Sequence, residues 1–239
     1  MPKQKNQMPD WEQVLSASAH LQEILPEAVL VGGTASVIYA GHRLSSDADH
    51  ILTDLKTHFD EVLEQLESVA GWKTARLKRP VLILGSLDGI ETGVRQLIRQ
   101  APLEKQELLL KGNKITLPTP HEMLRIKGIL ILKRNATRDY LDFAALSKYL
   151  GQSETQKALA PMNILYESDD KIVLQQLMAQ LANPLPYDLD DVDLSEYKSI
   201  SDEWKSWEHV KEQAIKVSHW ILDNELEREF RRRFRALIS

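Results

Sequence analysis

The sequence predicts an α+β protein, a small mixed β-sheet flanked by helices and followed by a helical C-terminal domain. Three observations lead there. All ten glycines lie between Gly32 and Gly151, and residues 152–239 carry none. Glycine serves tight turns and weakens helix interiors, so sheet and turns should come first and helices after. Two pairs of apolar runs in the first half flank Asp88-Gly89 and Gly112-Asn113, the composition of β-hairpin turns. Pro118-Thr119-Pro120 then reads as a joint, because each proline pushes its predecessor out of helix. It divides the chain into domains 1–118 and 119–239.

The elements follow in order. Trp11–Leu25 is expected as a helix, with Trp11, Val14, Leu15, Leu21 and Leu25 near one face. Ala28–Val31 is a short apolar strand that runs into Gly32-Gly33, and Thr34–Ala40 starts a helix with Thr34 as its cap. Beyond Gly41 the chain crosses Ser45-Ser46-Asp47-Ala48-Asp49 and reaches a second strand at Ile51-Leu52. Leu55–Val69 is strongly amphipathic, with Phe59, Val62, Leu63, Leu66 and Val69 three or four residues apart. Val81–Leu87 and Ile90–Leu97 form one hairpin, and Glu107–Leu110 and Lys114–Leu117 the other. Helices are expected over His121–Leu132, Thr137–Leu150, Glu154–Tyr166, Lys171–Leu181 and about Glu203 to Arg235. Trp204, Trp207 and Trp220 read as packing residues.

Composition narrows the function classes. Of the 239 residues, 43% are apolar and 27% charged, which excludes a fully disordered or fibrous chain. The longest apolar runs fall far short of the roughly 20 residues of a membrane helix, and Met1–Asp10 holds no apolar core of a secretory signal. With no cysteine, disulfides, thiolate zinc sites and cysteine nucleophiles are excluded. A cytoplasmic protein without a membrane part is expected. The net charge of −5 hides a segregation. Lys73 to Lys114 holds nine Lys/Arg against four Asp/Glu, whereas Tyr187 to Glu203 holds seven acids against one Lys. The basic stretch is either a nucleic-acid surface or a solvated face. Arg228 to Arg235, with Phe230 and Phe234, is a terminal amphipathic helix, an RNA contact, or a partner for the acidic Asp188–Asp193 segment.

Chemistry concentrates in Leu30-Val31-Gly32-Gly33-Thr34-Ala35 and in Asp47-Ala48-Asp49. On a strand Asp47 and Asp49 project the same way, about 6.6 Å apart. Two carboxylates so close repel unless a cation neutralises them. Magnesium suits that place, since it is commonly held by one or two carboxylates plus substrate phosphates. A glycine pair between strand and helix lets backbone N–H groups approach a phosphate. His42 and His50 flank the motif without the clustering that a zinc site needs. The sequence holds no nucleophile elbow, no His-Glu-x-x-His and no Walker lysine.

Gly32-Gly33-Thr34-Ala35 followed by Gly41-His42-Arg43-Leu44-Ser45-Ser46-Asp47-Ala48-Asp49 resembles the glycine motif and Asp-x-Asp of polymerase-β-like nucleotidyltransferases. More narrowly, it is similar to the AbiEii/AbiGii toxin branch, also called MenA-like or DUF1814-like. A second block strengthens the resemblance: Pro120-His121-Glu122-Met123-Leu124-Arg125-Ile126-Lys127, then Arg134, then Arg138-Asp139-Tyr140-Leu141-Asp142. It covers roughly Leu30 to Leu150. His50 departs from it, because the family carries an apolar residue after the second acid.

The resemblance implies a nucleotidyltransferase domain before the helical one, and transfer of a nucleotide from a nucleoside triphosphate to an acceptor hydroxyl. It implies Mg2+ or Mn2+, with Asp47 and Asp49 as ligands of both ions. A third carboxylate is expected on a neighbouring strand; the candidates are Glu91 and Asp88, with Glu91 preferred. Gly32, Gly33 and Thr34 would hold phosphates, with Arg43, Ser45 and Arg138 as further nucleotide contacts. Lys127 would balance the triphosphate. Asp139 would orient Lys127 or Arg138 or hold the base, and Asp142 shares its helix face. The acceptor the resemblance favours is RNA, with a tRNA end foremost, and the partner an antitoxin protein. The rival reading is a catalytically silent nucleotide- or partner-binding regulator on the same scaffold.

Overall fold

A computed structural model describes residues 10–166 and 172–238, with side chains described up to Leu226. The Arg228–Arg235 side chains, and the start of the helix expected from Lys171, lie outside the described residues. The chain divides into two compact units, Met1–Ile38 with Leu44–Thr119, and Tyr39–Arg43 with Pro120–Ser239.

The first unit contains α1 (Trp11–Ile24), β1 (Val29–Leu30), α2 (Gly32–Ala40, whose last two residues belong to the second unit), β2 (Asp47–Leu52), α3 (Phe59–Glu67), β3 (Trp72–Lys78), β4 (Leu82–Leu87) and β5 (Ile90–Gln96). A second hairpin, β6 (Lys105–Leu110) and β7 (Asn113–Pro118), forms a separate two-stranded sheet. The five-stranded sheet runs β1-β2-β5-β4-β3, with β2 and β5 parallel and the other neighbours antiparallel. It is the mixed sheet that the sequence predicts.

One face of this sheet is the core face. Leu52, Val94, Ile83, Leu87 and Trp72 meet Leu21 from α1, Leu25 just beyond its end, and Phe59, Val62, Leu63 and Leu66 from α3. Each such side chain, fully buried, contributes about 1.5–3 kcal/mol. Strand alternation leaves the opposite face to Asp47, Asp49 and Ile51 of β2, while Ala48, His50 and Leu52 turn inward. The β4–β5 turn is the expected Asp88-Gly89, with φ of +53° and +83° as a two-residue hairpin turn requires. In the second hairpin the turn is Lys111-Gly112, one residue earlier than the sequence suggests. Asn113 already pairs with Leu110 there.

Strand β3 is an element the sequence reading missed. It is an edge strand, exposed at every residue after Trp72, so no apolar alternation announces it. Helix α2 begins at Gly32 rather than Thr34, and α3 at Phe59 rather than Leu55.

The second unit holds α4 (Pro120–Arg134), α5 (Thr137–Leu159), α6 (Met162–Leu165), α7 (Val173–Ala182) and α8 (Trp207–Ile238). The break expected after Leu150 falls at Gly151, where φ is +74° and the backbone leaves the helical conformation within the Thr137–Leu159 span of α5. Its core includes Met123, Leu124, Ile131, Tyr140, Phe143 and Leu177. Gly128 allows a close helix approach, since a β-carbon there would stand 2.8 Å from Leu177 Cδ2. Trp204 is buried, and Trp207 packs edge-on against Tyr140 at 5.7 Å. Part of the acidic stretch is spent locally: Asp188 Oδ1 accepts from Thr137 N–H at 2.7 Å and from its hydroxyl at 2.8 Å at the start of α5.

Candidate active site

The bend after β1 is set by Gly32, whose φ of +73° strains any residue that carries a side chain. Val31 N–H donates to Asp49 O at 2.8 Å on entering it. A β-carbon at position 32 would stand 3.4 Å from Asp49 Cβ and 3.5 Å from Asp49 Oδ2. The glycine backbone therefore lies directly against the second acid. Helix α2 starts at this point, and its first bond runs from Ala35 N–H to Val31 O at 3.4 Å. The N–H groups of a helix's first turn have no intrahelical acceptor, and Gly32, at the start of α2, is the residue that lies against the acid. Thr34 Oγ1 donates to Asp47 O, tying the helix start to β2.

Asp47 and Asp49 share the outer face of β2, both half-buried. Ser45 Oγ donates to Asp47 Oδ1 at 2.7 Å. In the parallel register Asp47 stands opposite Glu91 and Asp49 opposite Gly93, so Glu91 joins the dyad's face from the neighbouring strand. Asp88 sits in the hairpin turn, where its Oδ2 meets His20 Nδ1 at 2.7 Å. Of the two candidates for a third carboxylate, the register places Glu91 opposite the dyad.

Arg95, four residues beyond Glu91 on β5, was not singled out from the sequence. Its guanidinium reaches Asp49 Oδ1 at 3.6 Å. A strand residue at i+4 returns to the face of residue i, which is the signal that could have found it.

Among the described residues no three His, Cys, Asp or Glu side chains are gathered tightly enough to form a ready-made metal cage. The donor chemistry fits magnesium in another manner, as two carboxylates on one face that share an ion with substrate phosphates.

The remaining candidates belong to the second unit, gathered around Asp142. This carboxylate is buried and accepts from Lys127 Nζ at 2.7 Å, Arg43 Nε at 3.0 Å, Arg43 Nη2 at 3.2 Å and His42 Nε2 at 2.8 Å. Burial alone would raise its pKa; Arg43 and Lys127 beside it, with the His42 hydrogen bond, instead hold the carboxyl well below the usual range. Burial lowers the His42 pKa, leaving a neutral ring beside two cations. Arg43 also lies 5.4 Å from the centre of the Tyr197 ring, and Ser201 N–H donates to His42 O at 2.9 Å. The pairing partners are corrected here: Lys127 is oriented by Asp142, whereas buried Asp139 binds Arg134, at 3.0 Å from Nε and 2.6 Å from Nη2. Arg138 is exposed. The Asp142 hub was invisible locally, because Arg43 and His42 stand about a hundred positions away in sequence.

No protein-family model matches the sequence. Over 129 residues, 52% of the chain, it is 33% identical to the mycolic acid-containing lipids exporter MmpL11 of Mycolicibacterium smegmatis. The chain spans only 13% of that protein's length. In structure it is similar to JHP933 from Helicobacter pylori, with a TM-score of 0.51 over 95% of this chain and 96% of that one, at 15% identity. The likeness is one of fold. An antigenic nucleotidyltransferase-like protein from Paracoccidioides brasiliensis aligns over 70% of this chain and 92% of its own, with a TM-score of 0.43 and 18% identity. Among the described residues no helix is long and apolar enough to cross a membrane.

Proposed function

We propose that this protein is a magnesium-dependent nucleotidyltransferase of the toxin-like branch, acting on an RNA acceptor such as a tRNA end. The observation that carries the reading is the packing of the Gly32 bend against Asp49, with Asp47 on the same face and Glu91 opposite it. The glycine bend and a pair of cation-seeking carboxylates thus share one place.

Asp47 and Asp49, with Glu91 in support, are the residues that would hold magnesium, which supplies charge neutralisation on the phosphates and lowers the acceptor hydroxyl's pKa. The Gly32–Thr34 amides orient the triphosphate, and Ser45 fixes the Asp47 carboxylate. Arg95 supplies a positive charge to Asp49 that a bound cation would relieve. In the reaction the acceptor oxygen bonds to the α-phosphorus, the bond to the β-phosphate breaks, pyrophosphate departs and the hydroxyl proton passes to solvent. Lys127 is the cation this reading assigns to the triphosphate, an assignment that rests on the sequence motif. An antitoxin protein as partner and a cytoplasmic setting belong to the same reading.

Calorimetry with each of four triphosphates, with and without magnesium, followed by an assay for pyrophosphate release, tests the proposal. Magnesium-dependent binding with release supports the transferase. Binding without release on any RNA would favour the catalytically silent regulator.

A further inference from the structure

The registers of the large sheet align its outer face in three rows. Asp47 pairs with Glu91, Glu91 with Ser86, and Ser86 with Lys73. Asp49 pairs with Gly93, Gly93 with Leu84, and Leu84 with Arg76. Ile51 pairs with Arg95, Arg95 with Leu82, and Leu82 with Lys78. The face that begins with carboxylates on β2 therefore ends with Lys73, Arg76 and Lys78 on the edge strand β3. Three strand spacings separate the two, about 14 Å. The slip at Ala75, between Thr74 and Arg76, keeps all three cations on this side. Were Ala75 paired in an unbroken register, Arg76 would fall on the face of Thr74, as a regular strand dictates.

The cations are exposed, and none is in an ion pair among the described residues. The strand's acidic neighbours act elsewhere: Glu67 accepts from Thr74 and Asp60 from Arg79, both from α3 on the core side. Between the acids and the cations lie half-buried Ser86 and Leu84, with Gly93 buried beside them. At Gly93 a β-carbon would stand 2.6 Å from Leu84 Cδ2, so the leucine covers the glycine. A row of unneutralised Lys and Arg beside an apolar shelf suits a backbone of phosphates with bases laid flat.

We infer that the β3 edge is the track for a single-stranded nucleic acid, whose phosphates meet Lys73, Arg76 and Lys78 and whose terminal hydroxyl is led across the sheet toward the acids. The inference deepens the transferase reading and rests on it for what happens at the track's end. Phosphate contacts on a single strand change the slope of log K against log salt by about 0.7 each, so the three together contribute about 2. Between 50 and 200 mM salt that is about a 20-fold difference in affinity.

The test is fluorescence anisotropy of a 5′-labelled 12-nucleotide RNA with the full chain, titrated at several KCl concentrations. The triple variant K73A/R76A/K78A is expected to show a slope shallower by about 2 and at least tenfold weaker binding at 50 mM. Its circular dichroism and its calorimetric binding of magnesium triphosphate are expected to be unchanged. K111A/K114A, on the other sheet, serves as the control, with the wild-type slope expected. An unchanged slope in the triple variant overturns the inference, as does a wild-type chain that binds an acidic peptide but no RNA. Equal loss of RNA and triphosphate would also overturn it, assigning the row to the nucleotide. Should the triple variant behave as expected while the wild type releases no pyrophosphate, the track stands and the transferase reading falls.

Discussion

Replacing Asp142 with Asn tests the charge arrangement of the second unit. The substitution keeps the shape of the side chain and removes its charge. Lys127 and Arg43 then remain as two cations with side chains only 3% and 7% exposed, without the carboxylate that both contact. Breaking a buried ion pair by removing one partner costs about 3–5 kcal/mol, because the other charge stays buried and uncompensated. Against a typical total stability of about 5–15 kcal/mol, that is a large share. For a protein of this size it corresponds to a fall in Tm of about 6–20 °C. Urea unfolding at pH 7, followed by circular dichroism, measures the loss. Adding Lys127→Met removes one stranded charge and should return at least about 1 kcal/mol. An Asp142→Asn chain within 1 kcal/mol of wild type, or a double variant weaker than the single, would refute the reasoning. In wild type the depressed carboxyl contributes stability that is full above its ordinary value of 3.8 and is lost progressively as pH falls from there through the lower folded value.

Two further outcomes follow from the first unit. His50 is fully buried with its pKa lowered by burial from 6.5 to about 4, and it donates Nδ1–H to Ala48 O at 2.9 Å. The unfolded chain takes up that proton first, so stability falls by about 3 kcal/mol as pH drops from 6.5 to 4. Urea titrations of His50→Asn, which keeps a donor but does not titrate, should show a flatter acid limb; identical pH slopes would contradict this. Arg95→Gln removes a half-exposed charge beside Asp49, worth up to about 1 kcal/mol. Mn2+ binding followed by electron paramagnetic resonance should tighten about twofold to fivefold, and unchanged or weaker binding would show that Arg95 does not oppose the ion.

How much was legible in the sequence depends on how local the determinant is. Strand alternation put Asp47 and Asp49 on one face, and the Asp88-Gly89 pair announced the hairpin that brings Glu91 alongside. These are short-range rules, and the structure shows their products together. Strand β3 stayed hidden because an edge strand open on both sides needs no apolar period. The hub at Asp142 stayed hidden for a different reason: its partners Arg43 and Lys127 come from separate segments that only tertiary packing joins. The resemblance pointed to Lys127 and Arg43 as charged groups, but it could not say that a buried aspartate holds them. Likewise Arg134 took Asp139, a pair five residues apart across the α4–α5 turn, where positive φ at Asn135 bends the chain.

The most direct test of the account is incorporation of α-labelled nucleotide into total cellular RNA by the wild type and by Asp47→Asn, with circular dichroism confirming that both are folded. The account predicts label transfer by the wild type with magnesium, none in EDTA, and loss of at least a hundredfold in the variant, on the order of what removing a group that stabilises transition-state charge costs. Wild-type rates in Asp47→Asn, or in EDTA, would contradict it.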